Sequence, residues 1–355
     1  MEIKVKKTNE PKKKPDENHL GFGSIFTDHM LLMPYDREQG WHSPEVVPYA
    51  PFTLDPASLV FHYAQECFEG MKAYRKPDGS VQLFRPDKNA QRMATTHRRL
   101  CMPEIPEEMF VNAVKALVSV DRDWVPFAKD TSLYIRPCTI AVESQLGVKA
   151  SDKYLFFIIA SPSGAYYAEG LNPVKIYVED ELTRASRGGT GFTKCGGNYA
   201  ISLYAQEKAH KLGYSQVLWL DGAERKYVEE VGAMNCFFVV DGVVYTSPTA
   251  PGTVLPGITR MSCMELLRDW GYEVREEALA IDDLMEAGRK GRVQEVFGTG
   301  TAAVVSPVGQ LRYKDESFDV GGGAIGPVTA RLYDTLTGIQ WGRLPDDKGW
   351  TVPVE

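Results

Sequence analysis

Lys194 is the residue whose type and surroundings point most directly to chemistry. It lies in a segment of small residues, Gly188-Gly189-Thr190-Gly191-Phe192-Thr193-Lys194-Cys195-Gly196-Gly197-Asn198. Glycine lets the backbone approach a bound group closely, and desolvation of a lysine favours its uncharged, nucleophilic amine. The segment is not a phosphate-binding P-loop, which needs glycine directly before its lysine and serine or threonine after it. The pattern indicates a nucleophilic lysine and leaves a solvated surface lysine as the alternative.

Two other segments have the composition of anion-binding sites. Leu255-Pro256-Gly257-Ile258-Thr259-Arg260 places proline and glycine just before a predicted helix, where free N–H groups and the helix dipole favour an anion. Gly298-Thr299-Gly300-Thr301-Ala302 follows a predicted strand and offers hydroxyl groups and backbone amides. Simple helix entry also explains the first segment, but two such segments in one half of the chain favour a bound phosphate or carboxylate.

Glu230 is a candidate of a different kind. It stands between Tyr227-Val228-Glu229 and Val231-Gly232, at the edge of a predicted strand, where glutamate side chains are usually solvated. A pyridine cofactor would change that interpretation, because a carboxylate on the ring nitrogen keeps the nitrogen protonated and makes the ring an electron sink.

Several other kinds of site are poorly supported. Gly321, Gly323 and Gly326 match the dinucleotide-binding pattern G-x-G-x-x-G, but no predicted strand precedes them, so we expect a loop. The six histidine residues have no metal-ligand spacing on a helix, and the six cysteine residues are scattered without a C-x-x-C pair. We therefore expect no metal site and no disulfide framework. No G-x-S-x-G nucleophile motif is present.

Composition narrows the class of partner. The net charge of −7 argues against nucleic acid and favours small metabolites. No uncharged apolar run reaches the roughly 18 residues of a membrane span, and the lysine-rich N-terminus lacks the apolar core of a signal peptide. We expect a cytoplasmic protein whose first residues form a solvated tail.

At 355 residues the chain exceeds the roughly 250–300 residues at which one hydrophobic core stops growing, so we expect two domains. Small residues from Ser161 to Pro173 mark the boundary. We predict a smaller N-terminal α/β domain over residues 1–163 with a solvated tail at 1–18. An interdomain loop at 164–172 and a larger C-terminal domain at 173–355 follow.

Local patterns predict the elements that hold the candidate residues in place. Apolar spacing predicts a helix over 107–120, and the turns Pro77-Asp78-Gly79 and Asp241-Gly242 predict two hairpins. A strand at 174–178 and a helix at 199–212 flank the segment around Lys194. We further predict helices at 92–100 and from Ile258 to Gly271, and strands at 132–136, 154–160, 216–220 and 293–297.

Seven motifs together resemble the branched-chain amino acid aminotransferases of the class IV pyridoxal phosphate fold, over nearly the whole chain from about residue 20. No one motif is decisive, but seven in the family's order are highly specific. The motifs are Phe68-Glu69-Gly70-Met71-Lys72, Leu83-Phe84-Arg85-Pro86, Ser132-Leu133-Tyr134-Ile135-Arg136-Pro137, Lys194-Cys195-Gly196-Gly197-Asn198-Tyr199, Glu230-Val231-Gly232, Leu255-Pro256-Gly257-Ile258-Thr259-Arg260 and Gly300-Thr301-Ala302.

The resemblance implies an α/β (α+β) fold of the D-amino acid aminotransferase-like type, with two domains, the active site between them and pyridoxal 5'-phosphate as cofactor. Lys194 would form the Schiff base and shuttle the proton. Tyr199 would bond the phenolic oxygen of the cofactor, and Glu230 its ring nitrogen. The phosphate would lie on Arg92, Ile258, Thr259 and Thr301.

The same resemblance implies a substrate pocket. Its apolar wall would be Tyr63, Phe68, Tyr134 and Tyr166, and Thr301 with Ala302 would meet the substrate carboxylate. Arg136 would bind the distal carboxylate of glutamate through charge-assisted hydrogen bonds. Leu146 and Val148 occupy positions that close the pocket of a neighbouring subunit, so we expect a homodimer.

The expected reaction moves the amino group of L-leucine, L-isoleucine or L-valine to 2-oxoglutarate, as a branched-chain-amino-acid transaminase does. Each methylene is worth only about 1 kcal/mol, so the three substrates should be poorly separated. The alternatives are a D-amino acid aminotransferase, an aminodeoxychorismate lyase, and a non-catalytic protein that stores or senses pyridoxal phosphate.

Overall fold

The computed structural model describes residues 1–164 and 171–355. These residues form two compact units. The first unit contains residues 1–164, 193–196 and 338–355, and the second contains residues 171–192 and 197–337. Tyr166, a predicted pocket residue, lies outside the described residues.

The secondary structure alternates between short strands and helices. The helices are α1 (Leu59–Tyr63), α2 (Pro86–Arg99), α3 (Glu107–Val120), α4 (Gly197–Ala200), α5 (Leu203–Lys211), α6 (Ile258–Asp269), α7 (Ile281–Arg289) and α8 (Pro327–Gln340). The strands are β1 (Lys4–Val5), β2 (His29–Asp36), β3 (Gly40–Trp41), β4 (Glu45–Pro48), β5 (Glu66–Phe68), β6 (Met71–Arg75), β7 (Val81–Phe84), β8 (Ser132–Ala141), β9 (Lys153–Ser163), β10 (Val174–Glu179), β11 (Gln216–Leu220), β12 (Val228–Val231), β13 (Met234–Val240), β14 (Val243–Thr246), β15 (Val274–Glu276), β16 (Val293–Gly300), β17 (Val304–Tyr313), β18 (Glu316–Asp319) and β19 (Thr351–Val354).

The first unit is built on a mainly antiparallel sheet in the order β1-β4-β2-β9-β8-β6-β7-β19, with β3 paired to β2 and β5 to β8. Alternate residues of β9, such as Phe156 and Ile158, are fully buried in a core that also takes Phe110 and Leu117 from α3. Because side chains alternate along a strand, the opposite face of β8 carries Tyr134 and Arg136, which are half-buried.

The second unit is a closed sheet. Its strands run β12-β11-β10-β17-β16-β13, and β12 also pairs with β13, which closes the ring; β14, β15 and β18 extend it. The strands on either side of β10 run parallel to it, and the hairpin of β12 and β13 is antiparallel. Phe238, Val296 and Leu218 are buried in its core with Leu284 of α7.

Most predicted elements are confirmed, and two differ for local reasons. The helix predicted at 199–212 is split into α4 and α5, where Ser202 Oγ donates to the carbonyl oxygen of Tyr199 at 2.6 Å. Such serine bonds compete with helical hydrogen bonding. The helix predicted at 92–100 begins earlier, at Pro86, because proline suits the first turn of a helix.

The division into units differs from the predicted domain boundaries. Residues 338–355 belong to the first unit, because β19 pairs antiparallel with β7 from Thr351 opposite Phe84 to Val354 opposite Val81. Residues 193–196 also belong there, since the Lys194 N–H donates to Thr96 Oγ1 at 3.0 Å. The first unit is consequently the larger one, opposite to our expectation.

The N-terminal residues also differ from the expected solvated tail. Lys4 and Val5 form a parallel pair of strands with β4, and the Lys12 N–H donates to Asp28 Oδ1 at 2.8 Å. Most side chains of this segment are exposed, but its backbone follows the edge of the sheet. Among the described residues, no helix is long and apolar enough to cross a membrane.

Candidate active site

The backbone of Lys194 is fixed on both sides. Its N–H donates to Thr96 Oγ1 of α2 at 3.0 Å, and its carbonyl oxygen accepts from the Phe68 N–H of β5 at 3.0 Å. The side chain is half-buried, and Nζ lies 4.9 Å from the centroid of the Phe68 ring. Two elements of the first unit, α2 and β5, therefore hold the backbone of this lysine in place. A residue that binds a ligand in one geometry needs such support.

The glycine residues around Lys194 make room for the protein itself. A Cβ atom on Gly196 would overlap Glu66 Oε1, and the Gly196 N–H donates a short hydrogen bond to that oxygen. In the second unit, a Cβ atom on Gly191 would lie 2.5 Å from the Thr253 carbonyl oxygen. The expected close approach of the backbone is therefore present, and its partners are neighbouring protein groups.

Arg92 of α2 is held by a buried ion pair. Its Nε and Nη2 donate to the two carboxylate oxygens of Glu69, each at 2.8 Å. The Glu69 side chain is fully buried and the Arg92 side chain is 7% exposed, so the pair is almost completely desolvated. Asn89 Nδ2 donates to Glu69 Oε2 at 2.7 Å and completes the carboxylate's surroundings. One guanidinium edge of Arg92 is thereby fixed.

Three predicted pocket residues lie on one face of the first sheet. The Arg136 guanidinium carbon lies 4.6 Å from the Phe68 ring centroid and 5.4 Å from that of Tyr134. Arg136 Nη2 donates to the Tyr134 hydroxyl oxygen at 3.1 Å. A Cβ atom on Gly70 would overlap that hydroxyl, so a side chain there would require Tyr134 to move. Two aromatic rings and one cation thus share a wall.

The Nε atom of Arg136 is buried and has no hydrogen-bond partner within the described part of the chain. A buried donor without an acceptor costs roughly 1–3 kcal/mol, more for a charged group. An arginine in this condition is suited to accept an anionic ligand.

Leu146 and Val148, which we expect to close the pocket of a neighbouring subunit, lie at the surface of the first unit, as does Tyr63 of the predicted wall. Tyr63 is 41% exposed and its hydroxyl donates to the carbonyl oxygen of Leu146. Leu146 is 67% exposed and Val148 is 81% exposed. These side chains are therefore available to another molecule.

In the second unit, Glu230 is a buried carboxylate with a partner for each of its oxygens. Its Oε1 accepts from Asn235 Nδ2 at 2.9 Å and from the Leu255 N–H at 3.0 Å. Its Oε2 lies 3.0 Å from Arg184 Nε in a buried ion pair. Two hydrogen bonds and an ion pair hold this side chain in place, so the alternative interpretation, a solvated glutamate at a strand edge, is wrong.

The neighbouring Glu229 has a different environment. Burial raises its pKa, while the hydroxyl of Thr253 and the charge of Arg184 act in the opposite direction. The two acids thus differ in their hydrogen-bond donors: Glu229 accepts from the Thr253 hydroxyl, whereas Glu230 accepts from the Asn235 amide and a backbone N–H.

The N-terminus of α6 is open to an anion. Gly257 is the N-cap and no side chain among the described residues caps the helix, so the first N–H groups at Ile258 and Thr259 are available. A Cβ atom on Gly257 would overlap Asn235 Oδ1, so this glycine is required by the Glu230 cluster, which comprises Glu230, Asn235 and Arg184.

The remaining predicted residues of the second unit are half-buried. Thr301 and Ala302 follow β16, and Tyr199 lies in the short helix α4. Next to them, Thr299 is 2% exposed and its Oγ1 has no hydrogen-bond partner within residues 171–192 and 197–337. The structure thus assembles Lys194, Arg92, Phe68, Tyr134 and Arg136 in one unit, and Glu230, Ile258, Thr259, Thr301 and Tyr199 in the other.

Sequence reasoning missed the residues that hold the predicted ones. Glu69 was part of a motif without a role, and Glu66, Arg184 and Asn235 were not noticed. Asn235 could have been found, because the tight turn at Gly232 pairs Val231 with Met234 and so places Asn235 opposite Glu230. Arg184 and Glu66 give no local signal, since their partners come from distant segments.

Replacing Gly257 with alanine tests the packing of the Glu230 cluster. The new methyl group would displace the Asn235 amide, so we expect the free energy of unfolding to fall by about 1–3 kcal/mol in a urea titration. Gly197→Ala is the matched control, because a Cβ atom there meets nothing within 4 Å. Equal stability of the two variants would show that the amide can move without cost.

Comparison with known proteins places the chain in a family. The sequence model of the amino-transferase class IV family matches residues 66–311. Branched-chain-amino-acid aminotransferase 2 of Bacillus subtilis (strain 168) is 52% identical over 352 residues, 99% of this chain and 97% of the relative. Branched-chain-amino-acid transaminase 1 of the same organism is 54% identical over 353 residues, 99% of each chain.

Solved structures agree with the sequence relatives. The branched-chain amino acid aminotransferase of Escherichia coli superposes with a TM-score of 0.76 at 28% identity, over 92% of this chain and 99% of that one. The T.th. enzyme of the same name, complexed with N-(5'-phosphopyridoxyl)-L-glutamate, gives 0.74 at 29% identity, over 92% and 98%. The predicted fold class is confirmed. Matched across most of its length by the family model and more than half identical to two of its members, this chain belongs to the class IV aminotransferases.

Proposed function

We propose that this protein is a pyridoxal 5'-phosphate-dependent aminotransferase that moves the amino group of L-leucine, L-isoleucine or L-valine to 2-oxoglutarate. The products are the branched-chain 2-oxo acids and L-glutamate. The observation that carries this proposal is the identity of 52% and 54%, over 99% of this chain, to two Bacillus subtilis enzymes named for branched-chain substrates. The T.th. enzyme was solved with a phosphopyridoxyl derivative of glutamate and with pyridoxamine 5'-phosphate, which supports the cofactor and the second substrate.

The residues present fit this cofactor. An uncapped helix start at Ile258 and Thr259 suits a phosphate, and the nearby Thr299 hydroxyl is buried without a partner among the described residues. Glu230 is a carboxylate that two hydrogen bonds and an ion pair keep in one position, as a partner for a protonated ring nitrogen must be. Lys194 supplies the reactive amine, and Arg92 supplies a positive charge for the phosphate in addition to the helix N-terminus.

Pyridoxal phosphate, when bound, supplies an electron sink that stabilises negative charge at the substrate α-carbon. Lys194 would perform the proton transfer: its Nζ would take the proton from the substrate α-carbon and pass it to the cofactor in the first half-reaction, and it would carry a proton in the opposite direction in the second. The carbonyl and N–H bonds of Lys194 keep the backbone still while the side chain alternates between these tasks. Tyr199 would donate its hydroxyl hydrogen to the phenolic oxygen of the cofactor.

Glu230 and Arg92 act by position and charge. Arg184 and Asn235 hold the Glu230 carboxylate so that the ring nitrogen stays protonated without a reorganisation of the protein. Glu69 holds one edge of Arg92 in the same way. Each carboxylate therefore stabilises a positively charged partner: Glu230 the protonated ring nitrogen, and Glu69 the Arg92 guanidinium. The charge of both partners changes little during the reaction.

The substrate side chain meets the wall of Phe68, Tyr134 and Tyr63. A branched aliphatic group gains by leaving water, at about 25 cal/mol per Å² of buried apolar surface. Glutamate brings a second carboxylate to the same wall, where Arg136 is its partner. Thr301 and Ala302 offer the backbone and hydroxyl donors for the α-carboxylate.

Lys194→Ala tests the assignment of the reactive amine. We expect the rate of each half-reaction to fall by at least about 1,000-fold, since the proton carrier is lost. Borohydride reduction followed by mass spectrometry should add the mass of the reduced cofactor to the wild-type chain and to Lys226→Ala, an exposed control. Covalent addition to Lys194→Ala would refute the assignment.

Arg136→Gln tests the recognition of the dicarboxylate. Loss of a charge-assisted hydrogen bond is worth about 1.5–3 kcal/mol, so KM for glutamate and 2-oxoglutarate should rise roughly 10- to 100-fold. KM for leucine should stay within about threefold, because its side chain makes no polar bond. A parallel rise for both substrates, measured in separate half-reactions, would assign Arg136 a general structural role instead.

We also propose that the protein is a homodimer. Leu146 and Val148 are exposed apolar side chains in a segment without helix or strand, and such residues are typical of interfaces. Sedimentation velocity should give twice the mass of the chain. Leu146→Asp should shift it toward the monomer, whereas the exposed control Leu344→Asp should not. A monomeric wild type with full activity would contradict the proposal.

A further inference from the structure

Glu66 lies beside the predicted substrate wall, and none of the motifs that predicted the site includes it. It stands on β5 with Phe68, and Cys67 between them is fully buried in the core. Because neighbouring side chains on a strand point to opposite faces, Glu66 and Phe68 share the face that Tyr134 and Arg136 occupy on β8. An acid therefore accompanies the arginine that the proposed function assigns to the distal carboxylate.

The charges of Glu66 and Arg136 act on each other. Burial raises the pKa of Glu66, and the Gly196 N–H and the charge of Arg136 oppose this shift. Both residues also act on the thiol of Cys138, whose pKa is raised to about 12, mainly by burial and also by the charge of Glu66, while the charge of Arg136 lowers it. The strand register agrees: Glu66 pairs with Ile140 and Phe68 with Cys138, so Cys138 stands between Glu66 and Arg136 on this face.

Two substrates make opposite demands on this wall. An aliphatic side chain provides no anion, and a desolvated guanidinium without a counter-charge is costly. A dicarboxylate provides its own anion, which then shares the field of Arg136 with the carboxylate of Glu66. The half-buried Glu66 therefore favours the first substrate and opposes the second.

We propose that Glu66 is a specificity-determining residue that compensates the charge of Arg136 when the pocket holds an aliphatic side chain and competes with the second carboxylate of a dicarboxylate substrate. The inference rests on the proposed function, in which Arg136 meets both substrates. Glu66 affects the substrate through the charge of Arg136, so it is a positioning residue and not a catalytic one.

Glu66→Gln removes the charge and keeps a side-chain oxygen that can accept from the Gly196 N–H. We expect the ratio of kcat/KM for glutamate to that for leucine to rise about fivefold, as expected for a partly buried charge pair. The gain should come from a lower KM for glutamate and 2-oxoglutarate. Each half-reaction is followed separately by the visible absorbance of the holoenzyme, so that the two substrates do not interfere.

Two further variants separate charge from shape. Glu66→Ala removes the charge and the hydrogen bond to Gly196, and it should raise the ratio in the same direction as glutamine. Glu66→Asp retains the charge and should keep the wild-type ratio. Glu104→Gln, which removes an acid that pairs with Arg98 at the surface, should keep it as well.

A rise of about threefold or more in the charge-removing variants, absent in aspartate, supports the inference. A smaller change, a fall, or equal loss for both substrates overturns it and leaves Glu66 a purely structural partner of the Lys194 loop. Failure of the proposed function is distinguishable, because Arg136→Gln would then affect leucine and glutamate alike whatever Glu66 does.

Discussion

Desolvated charge is the constraint that fixes the candidate residues within each unit. Arg92 and Glu69 are almost completely removed from water, as are Arg184 and Glu230, and neither partner of a pair could remain buried alone. Each pair therefore fixes two side chains at once. In each of these two pairs the sequence supplies a glutamate for the arginine, and an asparagine amide also donates to the carboxylate. In this enzyme, buried pairs of opposite charge thus hold the side chains in fixed positions.

Glycine plays a supporting role in the same arrangement. Gly257 and Gly196 each stand where a side chain would strike a polar atom, Asn235 Oδ1 in one case and Glu66 Oε1 in the other. Their backbones approach polar side chains that are themselves engaged with functional residues. The glycine residues at these two positions are therefore explained by crowding against the side chains of Asn235 and Glu66.

Some of the candidate residues could be proposed from the sequence, and the groups that hold them could not, for a physical reason. Lys194, Thr259 and Thr301 are marked by local patterns, since glycine-rich turns and helix starts depend on neighbouring residues. The same is true of α3 and of the Asp241-Gly242 hairpin, both confirmed. Glu66 and Gly196, like Arg184 and Glu230, are distant in sequence and come into contact only in the folded chain. No pattern within one segment predicts such pairs. The pairing of β19 with β7 was missed for this reason too.

That last pairing has a consequence for the order of assembly. β7 ends at Phe84, and its partner β19 begins at Thr351, after the whole of the second unit has been translated. During synthesis on the ribosome the second unit can therefore complete its closed ring while the first still has an unpaired strand edge, which is open to aggregation. The first unit, which holds Lys194, would therefore complete its sheet only after the whole of the second unit has been synthesised.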